Sequence, residues 1–251
     1  MPDPNYIDEI QFSDKTFKIR DSEARDLIRD IQILGGLPSG NNQDDILLWD
    51  NTNQQWVPTP TISNKSTIIH KIRSNHIDTG IIPGNNDIKI ETTFKVNQIS
   101  GGSSEMDVIF LIGKNSSLSV DGVALGIHNG KWNNLISGQD YGDSNITADL
   151  LSKSIVYQII GNQISISGDL SITKTVNNLR TYDWQNNSIK LGFDTLSVRA
   201  NYSVFKIYIS NTLVFDMQPF VNEIFGLQGI INKVNGNKIW VNDPLVWDFA
   251  N

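Results

Sequence analysis

The chain has 251 residues, 39% hydrophobic and 19% charged, so most of it is expected to be globular, with one sizeable core plus appendages. Its net charge of −7 argues against a nucleic-acid partner, whose phosphates need a basic surface. No Lys/Arg run or basic amphipathic stretch points to a membrane surface, and no stretch approaches the ~20 apolar residues of a spanning helix. The absence of cysteine excludes disulfides and thiolate metal sites. Met1 to Glu9 lacks a basic segment followed by an apolar run, so no secretory signal is expected and synthesis in a cytoplasm is.

In chain order, residues 6–20 read as a hairpin. Ile7, Ile10 and Phe12 supply the apolar positions of one strand, Phe17 and Ile19 those of the other, with Ser13-Asp14-Lys15 as the turn. A helix is expected next: Asp21 is the N-cap, and Ala24, Leu27, Ile28, Ile31 and Leu34 recur at spacings of three and four before Gly35-Gly36 stops it. Three or four turns are marginal alone in water, so the stripe needs a partner. Either two or three copies bundle in parallel, or the stripe docks on the chain's own larger domain. Residues 1–38 are therefore an expected anchor and multimerisation module. Residues 39–58 form a second small hairpin carrying Trp49 and Trp56, and the polar segment 59–66 is a linker.

From residue 67 to 251 the character changes. Twelve candidate strands arrive at close spacing: 68–72, 78–82, 88–96, 106–112, 123–128, 155–160, 163–167, 189–193, 202–209, 212–217, 229–234 and 238–241. "DIKIETTFKV" alternates as a half-exposed strand does, whereas "VIFLIG" is apolar on both faces, like an inner strand. The expected fold class is mainly β, with the two hairpins and short helix followed by an antiparallel two-sheet sandwich or jelly roll.

Several of these stretches resemble a known family. "FKIRDSEARDLI" (17–28) and "DDILLWDNTNQQWVP" (44–58) are similar to short patterns in tailed-phage tail and fibre proteins. "HIDTGIIPGNNDIKIETTFKV" (76–96), "FKIYISNTLVFDMQPF" (205–220) and "GLQGIINKVNGNKIWVND" (226–243) look like the entry and closing strands of concanavalin A-like, laminin-G-like domains carried by phages of gut bacteria, the crAss-like phages among them. Gln228 stands where that pattern has Tyr, and Ile230 or Ile231 where it has Asp. Residues 98–200 carry no such pattern. The resemblance implies a structural, non-enzymatic virion fibre protein on the virion surface. It would be a homotrimer, attached through residues 1–58 to a capsid or tail protein and displaying a lectin-like tip. The short distance between anchor and tip points to a head fibre; a tail fibre that binds a receptor is the alternative, and a glycan-degrading enzyme of the same fold is a further one.

Candidate site residues follow from chemistry. A sugar site needs flat aromatics beside amides and carboxylates. "RTYDWQNN" offers Tyr182, Asp183 and Trp184, and nearby loops offer Trp132 and Tyr141. The alternative is that these aromatics simply pack on the sandwich. Glu105 and Asp107 alternate as a catalytic pair would, but Phe110 stands where a third acid belongs. Asp140 and Asp143 lie in an oxygen-rich loop without the ordered spacing of a calcium loop, and His70, His76 and His128 show no ligand spacing. No metal or cofactor is expected.

Overall fold

The computed structural model describes residues 9–12, 15–18, 46–50, 55–59, 62–72, 75–84, 87–99, 106–115, 120–136, 139–140, 145–176, 186–192, 198–222, 227–241 and 245–251. Two compact units divide the chain, Met1–Ile62 and Ser63–Asn251. In the first, β1 (Glu9–Phe12) pairs antiparallel with β2 (Lys15–Lys18), and β3 (Ile46–Asp50) with β4 (Gln55–Thr59), Trp49 opposite Trp56. The helix expected over 21–34, with its stripe of Ala24, Leu27, Ile28, Ile31 and Leu34, lies outside the described residues.

The second unit is an antiparallel β-sandwich. Its strands are β5 (Ile62–Asn64), β6 (Thr67–His70), β7 (His76–Asp78), β8 (Asp87–Gln98), β9 (Met106–Asn115), β10 (Val120–His128), β11 (Lys131–Ile136) and β12 (Gln139–Asp140). There follow β13 (Ser152–Ile160), β14 (Gln163–Gly168), β15 (Ile172–Thr175), β16 (Ile189–Gly192), β17 (Arg199–Ile209), β18 (Thr212–Asn222), β19 (Leu227–Asn232), β20 (Lys238–Val241) and β21 (Trp247–Ala250). One sheet runs β12-β11-β10-β9-β16-β7. The other runs β15-β14-β13-β8-β17-β18-β19-β20, with β5 pairing β18, and β6 pairing both β17 and β21. No α-helix occurs among the described residues, so none there can cross a membrane.

Side-chain period decides which faces meet. In β8, Ile88, Ile90, Thr92, Phe94 and Val96 are buried and alternate with more exposed residues, as one face of a strand must. The facing sheet contributes Phe110, whose ring meets Tyr157 and Phe205 edge-on at 5.0 and 6.0 Å, while Phe94 meets Trp132 at 5.7 Å. The Tyr202 hydroxyl donates to the Ile109 carbonyl at 3.0 Å and ties the two sheets together. The middle of the smaller sheet is buried on both faces, at Asp107 to Gly113 and Gly122 to Ile127, which explains why "VIFLIG" carries no alternation.

Several strands were not anticipated. β11 carries Asn133 and Asn134, both buried, in place of the expected apolar run. What makes it a strand is the turn Asn129-Gly130, both at positive φ (50° and 69°), which folds Lys131 back onto His128. β15 is polar and edge-like, and β21 enters the sheet through long-range pairing to β6. Residues 59–66 are not a free linker throughout. Thr59 ends β4, β5 begins at Ile62, the Lys65 amide donates to Pro219 O and the Ser66 amide to Ala250 O. The strand expected at 78–82 ends at Asp78, whose carboxylate turns the chain by accepting from the Gly80 amide at 2.8 Å.

Candidate binding groove

β7 ends the smaller sheet and β20 ends the larger, and a cleft lies between these two edge strands. One compartment of about 280 Å³ is lined by Asn75, His76, Ile77, Asp78, Ile239, Trp240, Val241 and Trp247. The next, about 340 Å³, is lined by Thr79, Gly80, Ile81, Phe215, Asn232, Asn235, Asn237, Lys238 and Ile239. Both draw on residues 75–81 and 232–241, and Ile239 lines both. Each is near the lower end of the usual size range of small-ligand sites.

Each wall is held by hydrogen bonds. On the β7 side, Asn75 Oδ1 accepts from the His76 amide at 2.9 Å. Asp78 accepts from the Gly80 amide and, at 2.7 Å, from the Ser188 hydroxyl, which fixes its carboxylate. The Thr79 hydroxyl donates to Ile189 O at 2.7 Å, and the Ile189 amide donates to Ile81 O, pinning residues 79–81 to β16. On the β20 side, Asn232 is the hub of the turn before the strand. Its Oδ1 accepts from the Asp216 and Val234 amides, its Nδ2 donates to Val214 O, and its backbone carbonyl accepts from the Gly236 amide. The floor is apolar, with Phe215 and Trp247 fully buried.

Trp240 is the exposed aromatic of the groove, 44% accessible. Its support comes from β18 and β19. Phe220, Gly229 and Trp240 stand directly opposite one another on β18, β19 and β20, and the Phe220 ring meets Trp240 edge-on at 5.1 Å and 78°. Gly229 permits this, since a Cβ there would sit 2.7 Å from Phe220 Cζ and 2.6 Å from Ile239 O. Lys238, two residues before Trp240, is partly buried, and desolvation pushes its ammonium pKa below the ordinary lysine value. The groove thus combines an aromatic face, an imidazole, an oriented carboxylate, side-chain amides and a partly desolvated ammonium.

Sequence-based site residues fare differently. Trp132 is not a sugar platform: it is fully buried, packed edge-on against Phe94, because its place opposite Ile127 turns it into the sandwich interior. Tyr141, Asp143, Tyr182, Asp183 and Trp184 lie outside the described residues, and Asp140 is described only as part of β12, opposite Leu135. Asp107 is 2% exposed and so is sealed from a substrate, while Glu105 lies outside the described residues. His70 is a core residue stacked at 3.9 Å on Trp247, with Nδ1 3.0 Å from Val198 O. Among the described residues no group of three or more His, Asp or Glu side chains could hold a metal ion. Sequence reasoning missed Trp240, Asp78 and Lys238 as site residues. The one available signal was a Trp inside an otherwise ordinary strand, "NKIWV".

No family model matches the chain, and no curated protein matches it. Among solved structures, it is similar to the exoplasmic/lumenal domain of VIP36 in its Ca2+/Man-bound form: 11% identity and a TM-score of 0.36, covering 67% of this chain and 90% of that one. It is also similar to a Trypanosoma rangeli sialidase mutant displaying trans-sialidase activity, at 12% identity and a TM-score of 0.39, and to the same organism's sialidase in complex with 2,3-difluorosialic acid, at 11% and 0.35. In both sialidase matches, 82% of this chain aligns with 40% of the other.

Proposed function

We propose that this chain is a non-enzymatic, glycan-binding subunit of a phage virion fibre, with the sandwich as its lectin-like tip and residues 1–58 as its attachment and multimerisation segment. The observation that carries the glycan reading is the edge groove, where exposed Trp240 lies beside the fixed Asp78 carboxylate, His76 and the asparagine amides. A pyranose presents an apolar face for an indole and hydroxyls for directional acceptors and donors, and the groove offers both. The fibre reading rests on the sequence patterns at 17–28 and 44–58. In a trimer, three weak sites act together, so modest affinity at each gives useful avidity.

The test is a glycan array probed with the full chain and with Trp240→Ala. Binding to a defined set of glycans, weakened about ten-fold or more by the substitution, is the expected result. A blank array, or hits indifferent to Trp240, would refute the groove as a glycan site. A solution mass corresponding to one chain would refute the trimer.

A further inference from the structure

Asparagine is followed by glycine at two places, Asn129-Gly130 and Asn235-Gly236, and both pairs lie where the chain reverses between paired strands. Asn129 is exposed at the tip of the β10–β11 hairpin, between the paired residues His128 and Lys131. Among the described residues nothing bonds its side chain or the Gly130 amide, and nothing lies within 4 Å of where a Gly130 Cβ would stand. The Ala148 amide donates to Gly130 O at 2.8 Å, but that oxygen belongs to the next peptide unit, so the 129–130 unit is free to turn. Asn129 is also left-handed, at φ 50°, a conformation that costs an L residue and that opening of the turn relieves. Asn235 differs. The Gly236 amide donates to Asn232 O at 2.8 Å and the Asn237 amide to Asn235 Oδ1 at 2.9 Å, so both the backbone amide and the side chain are held.

We infer that Asn129 is a site of spontaneous deamidation, and that the fold protects Asn235 from the same reaction. The Gly130 nitrogen loses its proton and attacks Asn129 Cγ. The N–Cγ bond forms, the Cγ–Nδ2 bond breaks and ammonia leaves with a proton, closing a five-membered succinimide. Water then opens the ring at either carbonyl and gives aspartate or isoaspartate, so the sum is asparagine plus water to acid plus ammonia. Glycine is the favoured follower, because it has no Cβ to obstruct the attack. Aspartate tolerates the left-handed turn, whereas isoaspartate routes the chain through Cβ and lengthens a two-residue turn by one atom. That turn sets the β10–β11 register, which places Trp132 opposite Ile127 in the core. At Asn235 two hydrogen bonds have to break before the same attack can occur. The reaction needs no ligand and is independent of the glycan reading.

The experiment holds the folded full chain in warm, mildly alkaline buffer beside a second sample in urea, and follows the peptides carrying Asn129 and Asn235 by mass spectrometry. Asn129 is expected to convert about ten-fold faster than Asn235 in the folded protein, the scale of the two hydrogen bonds that hold the latter. In urea the two rates should converge, because both asparagines precede glycine. Equal rates in the folded protein, faster conversion at Asn235, or no conversion at Asn129 overturns the inference. So does a ratio that persists in urea, which assigns the difference to local sequence and not to the fold. Aged protein carrying isoaspartate should unfold at lower urea than Asn129→Asp, whose turn keeps its length; equal stability would refute the link from this turn to the β10–β11 register.

Discussion

Gly229→Ala tests how the groove's aromatic is held. The added methyl would lie 2.7 Å from Phe220 Cζ, 2.8 Å from Cε1 and 2.6 Å from Ile239 O. The ring could swing aside, but Phe220 is fully buried, and the Ile239 carbonyl belongs to the backbone of β20 and moves only with the strand. Overpacking of this kind costs about 1–3 kcal/mol, and loss of the edge-on Phe220–Trp240 contact adds about 0.5–1.5 kcal/mol. Replacing glycine in a strand returns about 0.5–1 kcal/mol through backbone entropy. The net expectation is a loss of about 1–3 kcal/mol, read from urea unfolding followed by tryptophan fluorescence, with altered near-ultraviolet dichroism in the folded protein. Phe220→Ala removes the ring that competes with the methyl, so the double variant should cost less than the sum of the two single ones. Wild-type stability for Gly229→Ala within about 0.5 kcal/mol, or strict additivity in the double variant, would refute this account.

Three further outcomes are expected. Tyr202→Phe removes the hydroxyl that donates to Ile109 O and should destabilise by about 1–2 kcal/mol, whereas Tyr157→Phe should be neutral or stabilising, because that fully buried hydroxyl has no hydrogen-bond partner in the protein. Equal losses in denaturant unfolding would contradict the contrast. Burial alone would raise the Glu91 pKa, but hydrogen bonds from Lys89 and Tyr208 and the charges of Lys89 and Lys206 outweigh it and leave the carboxyl below its ordinary value. A depressed folded-state pKa gives stability that is present above the unfolded value and lost as pH falls through the folded one. Wild type should therefore exceed Glu91→Gln by up to about 1 kcal/mol near neutrality, with the gap closing below about pH 4; a gap independent of pH would count against it. Finally, light scattering should give three chains per particle for the full protein and one for a chain beginning at Ile62. A monomer in both would move the apolar stripe at 24–34 from self-association to some other surface.

Much of the sandwich is local information, and the sequence carries it. "DIKIETTFKV" alternates because β8 covers the core with one face, and β8, β9, β10, β13, β14, β16, β17, β18 and β20 all overlap stretches that pattern alone marks as strands. Period two is a property of each strand's own residues, and Asn-Gly turns set their own geometry, so neither needs the rest of the chain. Where strands depend on distant partners, the sequence is silent. β11 tolerates two buried asparagines, β5 and β21 are strands because β18 and β6 stand beside them, and Trp132 points inward through its pairing with Ile127. The groove belongs to this second kind. His76 and Asp78 lie about 160 positions from Lys238 and Trp240, and nothing local links them. They come together because β7 and β20 each end a sheet, and two stacked sheets leave an open cleft where their edges meet.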